Sequence, residues 1–176
     1  YNLEGAKLLE GKGYTNIEAS LYDGLQVLYM SLAQYDKAIY YGEKAVSVGR
    51  ILKDQNPLAV ALNNLSLSYM EVDRLDKAKV VLGEALIISQ TIENKSVEGS
   101  SLNNLADIAI RKGKTEVLKG YAEKSLLIHR EINSMEGIAI STRCLAIYYL
   151  HQKDFVKANE YSLAALKITD EYEFLL

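Results

Sequence analysis

AVALNNLSLSYMEVDRLDKAKVVLGEA, residues 59–85, decides the fold, because its plan recurs along the chain at a fixed offset of forty. Ala38, Ala78, Leu118 and Ala158 follow that step, and so do Leu25, Leu65, Leu105 and Leu145. Ala45, Ala85, Ser125 and Ala165 follow it again. Tyr29, Tyr69 and Tyr149 make a further series, with Ala109 as the exception. Four registers hold one period without an insertion, which is the mark of stacked supersecondary units.

Within a period the apolar residues recur at helical spacing, not in strict alternation. Leu62, Leu65, Ser66 and Tyr69 form one stripe, and Leu75, Ala78, Leu82, Ala85 and Leu86 the next. Each unit therefore supplies two helices. First helices are expected near 17–32, 57–72, 97–112 and 137–152, and second helices near 35–53, 75–93, 115–132 and 155–172. The fold class predicted is all-α: a right-handed α-α superhelix (solenoid) of antiparallel helix pairs. One array spans 1–176, with a half repeat at 1–16 followed by repeats at 17–56, 57–96, 97–136 and 137–176.

The breakers fit this division. Asn56-Pro57 offers an N-cap oxygen and then a proline at the first helical position, where a missing N–H costs nothing. The turns at Ala33-Gln34, Asp73-Arg74, Gly113-Lys114 and Lys153-Asp154 are short and polar, which forces antiparallel neighbours. Small residues at 38, 78, 158, 45, 85 and 165 mark helix crossings, where a larger side chain would overpack at a cost of about 1–3 kcal/mol. Leu118, Ser125 and Ala109 depart from the pattern, so the third unit is expected to pack differently.

Composition excludes several functions. A net charge of -3 gives no electrostatic reason to bind nucleic acid or an anionic membrane. No apolar run approaches the roughly 20 residues that span a bilayer. The single cysteine, Cys144, excludes an internal disulfide and a cysteine-based zinc cage. Cytoplasm is favoured on that ground, with a periplasmic sensor domain as the other compartment. The chain begins at Tyr1, not Met, and ends on Phe174, Leu175 and Leu176, so we read it as a piece of a longer protein.

Leu65, Ser66, Tyr69, Leu75, Ala78 and Ala85-Leu86, repeated as Leu145, Ala146, Tyr149, Phe155, Ala158 and Ala165-Leu166, resemble the tetratricopeptide repeat (TPR) family. The resemblance covers essentially the whole chain. It departs from the family in lacking a glycine after the first leucine (Gln26, Ser66, Ala106 and Ala146 stand there) and in the weak third unit. LNNL at Leu62–Leu65 and Leu102–Leu105, and MEGIAIS at Met135–Ser141, are similar to a longer-repeat branch. That branch includes peptide-cargo adaptors, polarity scaffolds, peptide-pheromone receptors and the sensor portions of bacterial regulators.

The resemblance implies a concave surface lined by first helices. The residues it selects are Asp23 and Val27; Val60, Asn63, Asn64, Leu67 and Glu71; Ser100, Asn103, Asn104, Asp107 and Arg111; and Ile140, Arg143, Ile147 and His151. In the family, asparagines placed like Asn64 and Asn104 hydrogen-bond the backbone of an extended peptide. An amide suits that task, because it presents a donor and an acceptor together. The alternative is that these asparagines bond to a neighbouring helix or face water. Asp107 and Arg111 lie one turn apart and are expected to pair with each other. Arg143 with His151 could receive an acidic or C-terminal carboxylate, against the simpler expectation of solvated charges. The carboxylate clamp of chaperone-binding members is not reproduced, since Gly24, Cys144 and Ile140 stand where it uses Asn, Arg and Lys.

Other candidates carry no chemistry. His129 and His151 fall on different kinds of helix without partners at metal spacing, Cys144 has no His–Asp constellation, and Gly11-Lys12-Gly13 lacks the context of a phosphate loop. No catalytic residue, metal or cofactor is expected. The function expected is a protein- or peptide-binding module, the ligand- or partner-sensing part of a larger, bacterial signalling or transcription-regulatory protein. The alternatives are an oligomerisation scaffold joined through its array ends, with an inert groove, and a pheromone-type receptor.

Overall fold

A computed structural model describes residues 16–173; the half repeat expected at 1–16 lies almost wholly outside them. Among the described residues there are eight helices and no strand: α1 (Asn16–Ser31), α2 (Tyr35–Leu52), α3 (Gln55–Glu71), α4 (Leu75–Thr91), α5 (Lys95–Arg111), α6 (Thr115–Glu131), α7 (Met135–His151) and α8 (Phe155–Glu173). The chain divides into two compact units, Tyr1–Asn94 and Lys95–Leu176. In the first, α1 packs on α2 and α3 on α4, and α3 also rests on both α1 and α2. In the second, α5 packs on α6 and α7 on α8, with α7 resting on both α5 and α6. Within each unit the later first helix, α3 or α7, thus packs against both helices of the pair before it.

The helix ends obey a rule that the sequence conceals. Ala33, Lys53, Asp73, Glu93, Gly113, Asn133 and Lys153 all adopt the left-handed conformation, with φ between 53° and 64°. They fall every twenty residues, one at the end of each helix from α1 to α7. At Ala33 the N–H donates to the Met30 carbonyl at 3.0 Å and the next N–H, of Gln34, to Tyr29 at 2.9 Å. The same pair of bonds recurs at 73–74, 93–94, 113–114, 133–134 and 153–154. This double closure satisfies the last carbonyls of each helix and reverses the chain in two or three residues.

Two boundary expectations need correction. First helices α3, α5 and α7 begin two residues earlier than expected, so Pro57 sits at the third helical position, where an N–H would still lack an intrahelical partner. Asn56 is not the cap. Asp54 precedes the helix, and the Asn56 Oδ1 instead accepts from Asn94 Nδ2 at 2.6 Å, tying the start of α3 to the turn after α4.

In the first unit Leu25, Leu62, Leu65 and Leu82 are buried together with Ala38, Ala45, Ala78 and Ala85, the residues of the forty-step series. The second unit reaches the same density with different sizes. Ala109 and Leu118 share one buried cluster with Ala106, Ala122, Leu126, Cys144 and Leu145. A small residue where α3 has Tyr69, and a large one where α4 has Ala78, exchange volumes across the same crossing and keep it filled. Ser125 is buried as well, and its hydroxyl donates to the Gly99 carbonyl of α5 at 2.8 Å.

Candidate functional site

On the first unit, α1 and α3 present Asp23, Val27, Asn64 and Leu67. Asn64 Nδ2 donates to Asp23 Oδ1 at 2.9 Å, joining the two helices. Burial pushes the Asp23 carboxyl above its ordinary pKa, and the Asn64 bond partly offsets that rise. Val27 and Leu67 lie exposed one helical turn along from this pair. Beneath them Gln26 is fully buried and donates to Ser68 Oγ at 3.0 Å. A Cβ on Gly42 of α2 would sit 2.8 Å from the Gln26 amide, so that glycine makes room for it. Asn63 and Val60 are half-buried, and Glu71 is exposed at the end of α3.

On the second unit the expected residues separate. Asn103 is withdrawn from the surface, which corrects its assignment to a binding face. It is 4% exposed, its Nδ2 donates to the Gly137 carbonyl at 3.3 Å, and its Oδ1 lies 2.8 Å from Ser141 Oγ. Ser141 also reaches Ser125 Oγ at 3.1 Å and the Gly137 carbonyl at 2.7 Å. Buried amide and hydroxyls satisfy one another between α5, α6 and α7, as buried polar groups must. Asn104 and Ser100 are half-buried. Asp107 pairs with Arg111, Oδ2 to Nε at 2.9 Å, within one helix.

Arg143, Ile140 and Ile147 line a cleft of about 620 Å³ between α7 and α8, floored by Ala139, Ala146 and Ala158 and closed by Leu166. Arg143 is exposed, and no hydrogen bond or ion pair engages it among the described residues. His151 does not line this cleft. Eight residues of helix place it about 12 Å along the axis from Arg143, so the two do not form one carboxylate grip.

Beside that cleft Cys144 is fully buried, and burial pushes its thiol up to about 11, against the lowering effect of Arg143. It packs as a protonated core side chain. His129, which the sequence left without a role, lies in the core of the second unit at 3% exposure, with the Gly99 backbone beside its ring. Gly99 of α5 and Gly137 of α7 flank its ring, and a Cβ on either would run into it. The tell-tale in the sequence is a glycine near the start of each of these two first helices, Gly99 and Gly137, although the two are not one repeat step apart. Among the described residues no three His, Cys, Asp or Glu side chains gather as metal ligands, and no helix is long and apolar enough to cross a membrane.

The sequence profile of the tetratricopeptide repeat matches residues 58–95, which run from α3 into the start of α5. That segment carries a tetratricopeptide repeat. Solved neighbours of the chain agree in fold. The chain is similar to BtubC (BKLC) from P. vanneervenii, with a TM-score of 0.79 and 20% identity over 90% of this chain and 65% of that one. It is similar to a Rap protein complexed with Competence and Sporulation Factor, with a TM-score of 0.82 and 18% identity over 98% of this chain and 48% of that one. It is also similar to a signal transduction ATPase with a tetratricopeptide repeat sensor from Pyrococcus horikoshii, with a TM-score of 0.77 and 23% identity over 98% and 28%. The chain therefore spans less than two thirds of the length of each of these three. No curated protein sequence matches it.

Proposed function

We propose that the chain is a protein-interaction module that binds an extended segment of a partner across α1 and α3, as the sensing part of a larger signalling or regulatory protein. The observation that carries this reading is the Asp23–Asn64 hydrogen bond at 2.9 Å beside exposed Val27 and Leu67. Asp23 takes one N–H of the Asn64 amide and so fixes its orientation. A second N–H and the acceptor oxygen are left to pair with a peptide group. An amide already held in place gives up less side-chain entropy on binding. The two apolar side chains then supply contact area for a ligand side chain. Asn104 occupies the same register on α5, while Asp107 and Arg111 neutralise each other and Asn103 is spent inside the core. The sensing role is supported by the likeness to a Rap protein solved with a bound factor and to an ATPase whose tetratricopeptide portion is a sensor.

The test is selection of a phage-displayed random peptide library on the intact chain, followed by anisotropy titration of the enriched peptides. Asn64→Ala is expected to weaken them about tenfold, roughly 1.4 kcal/mol, near the upper end of what one neutral hydrogen bond contributes. Asp23→Ala, which frees the amide, is expected to weaken them by a smaller factor. Failure to enrich any peptide, or equal affinity for the wild type and Asn64→Ala, would overturn this assignment and favour an inert scaffold.

A further inference from the structure

We propose that the segment bound across α1 and α3 carries a basic side chain, lysine or arginine, which meets the Asp23 carboxylate and lays its aliphatic stem over Val27 and Leu67; this names the occupant of the face proposed above and rests on that reading. The two helices carry the carboxylates Glu18, Asp23 and Glu71 and no lysine, arginine or histidine. Glu18 is withdrawn into the core, where it accepts from Tyr22 Oη at 3.1 Å. Asp23 and Glu71 are left to set the sign of the face. The three cations of the adjoining α2 are engaged elsewhere: Lys37 and Lys44 lie over tyrosine rings, and Arg50 pairs with Glu84 of α4. The first helices of the other unit differ, since α5 and α7 mix Lys95, Arg111 and Arg143 with their carboxylates.

Asp23 is half-buried, and burial raises its pKa while the Asn64 bond opposes the rise; no cation enters that balance. A carboxylate drawn partly out of water with one neutral hydrogen bond is short of compensation. An incoming ammonium or guanidinium supplies it, and a pair shielded from solvent on one side attracts more strongly than one on an open surface. The apolar neighbours suit the same side chain. Val27 lies one turn along α1 from Asp23, and Leu67 lies one turn along α3 from Asn64, a step of about 5 Å. Lysine and arginine lay their methylene stems along apolar surface while the charged head seeks a partner. Leu67 is exposed although α1, α2 and α4 all pack on α3. Glu71, exposed two turns beyond Asn64 on the same helix, extends the negative field along which a cationic segment approaches.

The test selects a phage-displayed random peptide library in parallel on the intact wild-type chain and on Asp23→Asn, which keeps an acceptor for Asn64 and removes the charge. The wild type is expected to enrich lysine or arginine at one fixed position, and Asp23→Asn to enrich peptides without that preference. An enriched peptide is then compared with its norleucine analogue, which keeps a stem and drops the charged head. The analogue should bind the wild type about fivefold more weakly, as expected for one ion pair near a surface, and should match the parent peptide on Asp23→Asn. The comparison on the wild type needs no variant of the chain, so it decides the question even where Asp23→Asn folds poorly. Enriched peptides without a basic preference, equal affinity of the two peptides for the wild type, or a basic-residue advantage that survives Asp23→Asn would overturn the pairing with Asp23 while leaving the face as a binding surface. Failure to enrich any peptide would overturn both.

Discussion

Gly137→Ala puts the packing of the second unit to a quantitative test. Gly137 lies in the first turn of α7, and the methyl group of alanine would overlap the His129 ring of α6. The ring has no room to retreat, because Gly99 of α5 meets its other side: a Cβ there would stand 2.8 Å from Nε2. Overpacking of this kind costs about 1–3 kcal/mol. Removing a helical glycine returns roughly 0.5–1 kcal/mol. The net expectation is a loss of up to about 2.5 kcal/mol. Gly120, in α6 of the same unit, has nothing within 4 Å of the position a Cβ would take, so Gly120→Ala should stabilise by the full helical gain. Urea unfolding followed by circular dichroism reads both, with a midpoint shift on the order of 0.5–1 M for the first variant. Hydrogen exchange should place the Gly137→Ala loss in α6 and α7. His129→Ala, which deletes the ring, should cancel most of the penalty in a double-mutant cycle. If Gly137→Ala stabilises as Gly120→Ala does, the glycine cradle has been misread.

Acid should weaken the second unit through the same histidine. Burial holds the His129 pKa below its ordinary 6.5, only partly countered by the Gly99 backbone and by Glu136, so the unfolded chain binds the proton first, and stability present above that pH is lost as it falls toward the folded value. A urea midpoint that drops equally in wild type and His129→Leu between neutral and mildly acidic pH would refute this. The left-handed helix ends make a paired prediction: Ala33→Gly should stabilise by about 1 kcal/mol and Gly113→Ala should destabilise by about as much, since both positions have positive φ. Thermal melts that move the same way for both variants would contradict it.

The repeating packing was legible in the sequence because it is made of residues whose size alone explains them. Leu25, Leu65, Leu105 and Leu145 are buried, as are Ala38, Ala78 and Ala158, and a forty-residue step finds all of them without knowledge of any contact. The twenty-residue rhythm of the turns was hidden for the opposite reason. Only Gly113 announces a left-handed residue, and the remaining six positions carry Ala, Lys, Asp, Glu, Asn and Lys, which tolerate that conformation at a cost the surrounding packing imposes. Asn103 and Asn104 sit in the same LNNL motif that carries Asn63 and Asn64, yet Asn103 turns into the core. No pattern in one chain separates them. The decision is made by Gly137 and Ser141, which place a backbone carbonyl and a hydroxyl within reach of its amide, with Ser125 bonded in turn to Ser141.

Residues 23 and 103 occupy one column of the repeat, and each reaches the later first helix of its own unit, Asp23 at Asn64 of α3 and Asn103 at Gly137 and Ser141 of α7. What differs is the side chain: a carboxylate at 23, an amide at 103. Asn103 spends its capacity on α7, Asp23 gives Oδ1 to α3, and both so act as register pins, holding one first helix against the next.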